Sequence, residues 1–124
     1  MDIIMSIKPK YVNRILNGTK KFEFRKNIPL KIRDVDKIFI YSTSPQKKIV
    51  GHFLVKDVYK MKINDLWYKT KKHSGIEKKD FKDYFKDKND GFAIEIGMVV
   101  EYGIPLDFKE IDKTGVVPQS FKYI

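Results

Sequence analysis

Apolar residues fall along this chain in short blocks whose period changes several times. Asp2 to Ile7 is an almost unbroken apolar run that stops at Lys8-Pro9, the pattern of a buried strand followed by a proline at the first position of a helix. Tyr11, Val12, Ile15 and Leu16 recur at helical spacing, which predicts a short amphipathic helix over Pro9 to Asn17, closed by Asn17-Gly18. From Lys21 to Arg25 the period drops to two. A strand here sends Phe22 and Phe24 to one side and Glu23 and Arg25 to the other. Asn27-Ile28-Pro29-Leu30 breaks the pattern and opens a loop through Asp34.

Lys37 to Tyr41 is apolar and β-branched enough for a central strand, and Ser42 to Gln46 is a polar loop with turn chemistry. Ile49 to Tyr59 is the longest strand signal, with Gly51 predicting a bulge. From Met61 to Asp90 the period becomes helical, with Ile63, Leu66 and Trp67 on one short helix and Ile76, Phe81, Tyr84 and Phe85 on a second. Between them Lys71-Lys72-His73-Ser74-Gly75 is too polar for core. Phe92 to Ile96 and Val99 to Phe108 read as a closing hairpin of two strands, broken near Gly97 and Gly103. Sequential strands with inserted helices, and no alternation of strand and helix, predict an α+β fold with a curled, mostly antiparallel sheet.

At 124 residues, 42% of them hydrophobic, the chain has the material for one domain spanning residues 1–124. The formal charge of +10 is unevenly spread, since residues 91–124 carry three basic and five acidic side chains. A basic field over the first three quarters attracts polyanions. There is no cysteine, so disulfides, thiolate metal sites and cysteine nucleophiles are excluded. With two histidines and no paired spacing, neither a metal nor another cofactor is expected. No apolar run approaches the length of a membrane span and Met1 to Ile7 is too short for a signal peptide, so a cytoplasmic protein is expected.

The alternating stretch lies inside a longer pattern, Gly18-x-Lys20-x-x-Glu23-x-Arg25. Together with Ile7 to Lys10, Ile40 to Ser42, Ile49 to Gly51 and Pro118 to Phe121, it resembles the ASCH domain family, a PUA-like branch of small β-barrels associated with RNA. The resemblance implies a curled barrel with a few short helices packed around it, and an RNA or nucleotide-like ligand held in a cleft beside the motif. It also admits a regulator linked to RNA or transcription. Some family members look like amidohydrolases acting on acylated nucleosides, using the motif lysine, a threonine three residues later and a downstream glutamate. Lys20 matches that lysine, whereas Glu23 occupies the threonine position. Nuclease activity and a protein-interaction adaptor are further readings that the family offers.

These patterns give a candidate ligand-contacting set of Lys20, Lys21, Glu23, Arg25, Tyr41, Ser42, Thr43, Ser44, His73, Gln119 and Ser120, with Lys20 and Glu23 as the acid-base pair if there is catalysis. A groove beside Glu23 and Arg25 is expected between the Ser42 to Pro45 loop and the His73 loop. Tyr41 and Tyr123, each next to a polar loop or terminus, are the aromatic rings best placed to stack a base. The plain alternative for Glu23 and Arg25 is an exposed ion pair contributing at most about 1 kcal/mol. Glu23 is expected to hold the Lys20 ammonium in its charged form, which favours binding over proton transfer. The lysines and aspartates that interleave over Lys78 to Asp90 read as a solvated helix face.

Overall fold

The computed structural model describes residues 1–124. β1 (Asp2–Ile7) is buried from Ile3 to Ile7 and mostly apolar, both of its faces being covered. Ile3, Met5 and Ile7 enter the main core, and Ile4 enters a second cluster with Phe39, Tyr41, Ile49 and Phe108. α1 (Pro9–Leu16) starts on its proline and buries Val12 and Ile15 against that main core. β2 (Phe22–Arg25) follows, and after a loop containing a 3-10 turn at Ile32–Asp34 come β3 (Lys37–Ser42) and β4 (Lys48–Lys62). The predicted bulge is present, the β3–β4 register shifting between Ile40 and Tyr41 opposite Gly51. A side chain at Gly51 would run into the backbone carbonyl of Val100, so the close approach of β4 to its neighbour needs a glycine.

α2 (Ile63–Thr70), a 3-10 turn at Lys71–His73 and α3 (Lys78–Tyr84) lie over a third cluster, Phe24, Leu66, Phe81, Phe85 and Ala93. The chain then returns in β5 (Asp90–Leu106), one strand of 17 residues. The expected hairpin is therefore corrected: Gly97 and Gly103 do not turn the chain. β4 is long enough to pair with all of β5, and register shifts near Phe53, Val55 and Asp57 absorb the bend instead. α4 (Phe108–Ile111), held by a capping box between Asp107 and Glu110, and β6 (Phe121–Tyr123) complete the fold. At one turn and three residues, both are too short to leave a periodic signal.

The sheet order is β2-β5-β4-β3-β1-β6. Only the β1–β3 pair is parallel. β2 and β6 are its two ends and share no ladder, so the curled, mostly antiparallel sheet expected from the sequence is an open half-barrel with four short helices around it. β2 covers β5 only from Phe92 to Glu95, leaving the rest of that side of β5 unpaired by any strand. No helix is long and apolar enough to cross a membrane.

Candidate functional site

Strand parity places the motif as its alternation predicts. Phe24 is buried and meets Phe81 edge-on at 5.0 Å, while Phe22 is half-buried against Tyr59. On the other side Glu23 and Arg25 are only 6% and 9% exposed, not the solvent-facing pair of the plain reading. Arg25 donates from Nε to Glu23 Oε2 at 3.0 Å, from Nη2 to the Ser6 carbonyl at 2.8 Å and from Nη1 to Ser120 Oγ at 3.0 Å. Its Nη2 also lies 2.8 Å from Glu23 Oε2. Ser6 is on β1 and Ser120 immediately precedes β6, so one guanidinium spans the opening between the two ends of the sheet. Ser6 fixes the far side by donating its amide to Ser120 O at 2.9 Å and its hydroxyl to Pro118 O at 2.7 Å. Glu23 Oε1 receives no hydrogen bond from the chain.

Lys20 arrives at the turn after Gly18 and is 3% exposed. Its Nζ donates to Ser74 O at 2.8 Å and lies 5.3 Å from the Tyr11 ring centre and 4.8 Å from that of Phe24. Burial drives its pKa down to about 8, against the attraction of Glu23, with Arg14 and Arg25 adding to the lowering. Glu23 pulls toward the charged form, as expected, and loss of water outweighs it only in part: at a pKa of about 8 the amine is still mostly protonated at neutral pH. The 74–77 segment is held from a second side by Arg14, whose Nη1 donates to Gly75 O at 2.9 Å and whose Nη2 donates to Glu77 Oε1 at 3.0 Å.

The lysine gives a prediction with a definite sign. Its folded pKa lies below its unfolded one, so between about pH 8 and 10.5 the unfolded chain holds more protons, and stability rises with pH through that window. Wild type should gain on the order of 3 kcal/mol there relative to Lys20→Met, read as the difference between their urea unfolding curves. Parallel curves would show that the ammonium keeps its water.

Three hollows surround the pair. The middle one, of about 300 Å³, is lined by Ser6, Ile7, Lys8, Tyr11, Glu23, Arg25, Thr43 and Gln119. On one side Lys8, Lys10, Tyr11, Ile76, Asp80, Asp83 and Tyr84 line a second, of about 490 Å³. On the other Arg25, Lys26, Asn27, Tyr84, Gln119 and Ser120 line a third, of about 540 Å³. Burial raises the pKa of both Tyr11 and Tyr84, keeping each phenol protonated beside the cleft.

The family model described as ASCH domain matches residues 5–121 of this chain. The chain belongs to the ASCH domain family. An ASCH domain-containing ribonuclease of Zymomonas mobilis is 28% identical over 126 residues, covering 99% of this chain and 84% of that protein. The large ribosomal subunit protein uL22 of Ureaplasma parvum serovar 3 is 32% identical over 123 residues, 98% of this chain but 39% of that protein, so the chain spans about two fifths of that relative's length. The crystal structure of a serine-to-alanine variant of the Zymomonas ASCH protein superposes with a TM-score of 0.90 at 25% identity, covering 99% of this chain and 87% of that one.

Within this ASCH domain the candidate residues separate. Glu23, Arg25, Thr43, Gln119 and Ser120 come together around the cleft. Lys20 stands behind Tyr11 and does not line it. Lys21, Ser44 and His73 are exposed and line none of the three hollows; the His73 carbonyl accepts the Lys21 amide at 2.8 Å. Tyr41 is 6% exposed and packs edge-on against Phe108 at 5.5 Å, because β3 is covered on both faces, so it offers no ring to a base. Ser42 is fully buried and its Oγ has no partner. Tyr123 lines a separate apolar hollow with Met1, Leu30 and Ile124. The groove bordered by the His73 loop is corrected accordingly: the wall on that side is α1 and α3. Tyr11, Tyr84, Lys26, Asp80 and Asp83 are among the cleft residues that stand outside the candidate ligand-contacting set. The available signal was the spacing of Asp80 and Asp83, three apart on α3 and therefore on one face. No group of three or more histidine and carboxylate side chains converges.

Proposed function

We propose that this ASCH domain binds RNA or a nucleotide-like ligand in the cleft beside Glu23 and Arg25. The observation that carries the reading is the buried pair itself. An ion pair taken out of water is costly to keep, and here one carboxylate oxygen is left without a donor at a polar hollow walled by Tyr11. Such an oxygen accepts from a base or sugar, the ring offers a stacking face, and Lys8, Lys10 and Lys26 supply charge around the rim. The Zymomonas relative, named a ribonuclease, supports RNA as the ligand class.

If two or three of those lysines meet phosphates, log affinity for a short single-stranded RNA should fall against log salt with a slope of about −1.5 to −2, at about 0.7 per contact. Fluorescence anisotropy over a salt series measures it, and Lys26→Ala should reduce the slope by about 0.7. A slope near zero would remove RNA as the ligand.

The name of that relative also favours a second reading, in which RNA is cleaved in the same cleft. Lys20 bears on it, and equally on hydrolysis of an acylated nucleoside. Its low pKa suits proton transfer, but Tyr11 and Phe24 stand around its amine. Turnover of RNA or of an acylated cytidine by wild type, abolished in Lys20→Arg because arginine does not give up its proton, would make the domain an enzyme. No turnover, with binding retained by Lys20→Arg, leaves it a binder.

A further inference from the structure

The three hollows meet pairwise, and their chemistry differs. The first and middle share Lys8 and Tyr11, the middle and third share Arg25 and Gln119, and the first and third share Tyr84. The third holds two cations, Arg25 and Lys26, with the neutral donors of Asn27, Gln119 and Ser120 and no carboxylate. The first is different in kind. It holds Asp80 and Asp83, and its Lys10 is drawn toward carboxylates, 3.6 Å from Glu77 and 3.7 Å from Asp80. The third hollow draws a phosphate more strongly than the first, where Lys8 and Lys10 are offset by Asp80 and Asp83. The middle hollow offers an aromatic wall and the free Glu23 oxygen.

A ribonucleotide has the same threefold plan, with a ribose joining a flat base, a phosphate and a pair of adjacent hydroxyls. We infer that the cleft takes one nucleotide unit carrying a 5′-phosphate and a free 2′,3′-diol, with the base in the middle hollow, the phosphate beside Lys26 and Ser120, and the diol against Asp80 and Asp83. The two carboxylates decide the orientation. A pair of hydroxyls satisfies both of them, whereas the reverse placement would present a single 5′-hydroxyl and leave one unmatched. The same chemistry is offered by a free nucleoside 5′-monophosphate and by the 3′-terminal nucleotide of an RNA chain. An internal nucleotide does not offer it, because its 3′-phosphate would lie against the carboxylates. The inference rests on the cleft being the ligand site.

The experiment is a calorimetric titration of the whole chain with the four nucleoside 5′-monophosphates, their 3′-monophosphate and 2′-deoxy counterparts, and a six-nucleotide single-stranded RNA ending in either a 3′-hydroxyl or a 3′-phosphate. At least one 5′-monophosphate should bind tenfold or more tightly than its 3′ isomer. The deoxy form should be several-fold weaker than the ribo form, and a terminal 3′-phosphate should weaken the RNA about tenfold. In the Asp80→Asn, Asp83→Asn variant both the deoxy and the 3′-phosphate penalties should shrink toward parity, while far-ultraviolet circular dichroism stays that of wild type. If the 3′-hydroxyl RNA outbinds the monophosphate, an RNA terminus is the source; the reverse order makes it a free nucleotide, and either order supports the shared chemistry. Equal affinity for the two RNA ends overturns the inference and leaves the cleft as a site for internal RNA. If no nucleotide and no RNA binds, the cleft reading is overturned and the inference with it.

Discussion

Arg25→Ala should cost about 3 to 5 kcal/mol, because it leaves the Glu23 carboxylate buried without its counter-charge. In a chain of this size that lowers the melting temperature by roughly 10 to 20 °C. The loss exceeds that of a surface pair for two reasons. The two side chains are 10% and 8% exposed, so water cannot replace the guanidinium. The same group also satisfies the Ser6 carbonyl and the Ser120 hydroxyl, so three acceptors lose a donor together. Adding Glu23→Gln to Arg25→Ala should recover part of the loss, since the uncompensated charge is then gone, and the two substitutions will not be additive. Urea unfolding of the two single variants and the double variant measures this. A cost below about 1 kcal/mol for Arg25→Ala would mean that the pair behaves as a surface pair.

Gly75→Ala is expected to be the other severe substitution. Gly75 has φ of +64°, which costs an alanine about 1 to 2 kcal/mol. The new methyl would also press into the Lys20 side chain at Cβ and Cγ and lie 2.8 Å from its Cα. Overpacking of that kind adds about 1 to 3 kcal/mol, and backbone cannot move aside as a side-chain tip does. A total of about 2 to 5 kcal/mol follows from the two contributions. The displacement also has a chemical readout, because Lys20 donates to the carbonyl just before this glycine. Pushing the two apart lets water reach the amine, so the rise in stability between pH 8 and 10.5 should flatten in this variant. An unchanged melting temperature would show that the 74–76 segment yields without cost.

The period-two alternation of Phe22 to Arg25 was enough to sort rings from charges, and the helical spacing of Tyr11 to Leu16 was enough for α1. Burial of the charged side was not legible. What covers it is Ser120, 95 positions from Arg25, and nothing local announces that partner. The pKa of Lys20 escaped for the same reason: Glu23 is three residues away and visible, whereas Ser74, which helps to enclose the amine, is 54 away. For Tyr41 a place beside a polar loop implies exposure, but β3 pairs on both sides and is covered on both faces, which no local pattern reveals. Asp80 and Asp83 were lost among interleaved charges, since only the placement of α3 beside α1 tells a lining residue from a solvated one. The open sheet could not be separated from a closed barrel because strand count and strand pattern are alike in the two.

The long strand β5 has a consequence for how the molecule meets its own kind. Beyond Glu95 its outer side has no partner strand, which leaves a row of amide and carbonyl groups able to template a strand from another chain. Met98 and Ile104 are exposed along it, at 61% and 83%, so apolar contact would reward such an addition. Pro105 and Glu101 stand on the same run, both exposed. The proline has no N–H to offer an incoming strand, and the carboxylates of two copies laid side by side would repel. Together with the bend that the register shifts put into β4 and β5, they make this border a poor match for a flat partner. The half-barrel thus carries guards against edge-to-edge aggregation on its longest strand, far along the chain from the Glu23–Arg25 pair.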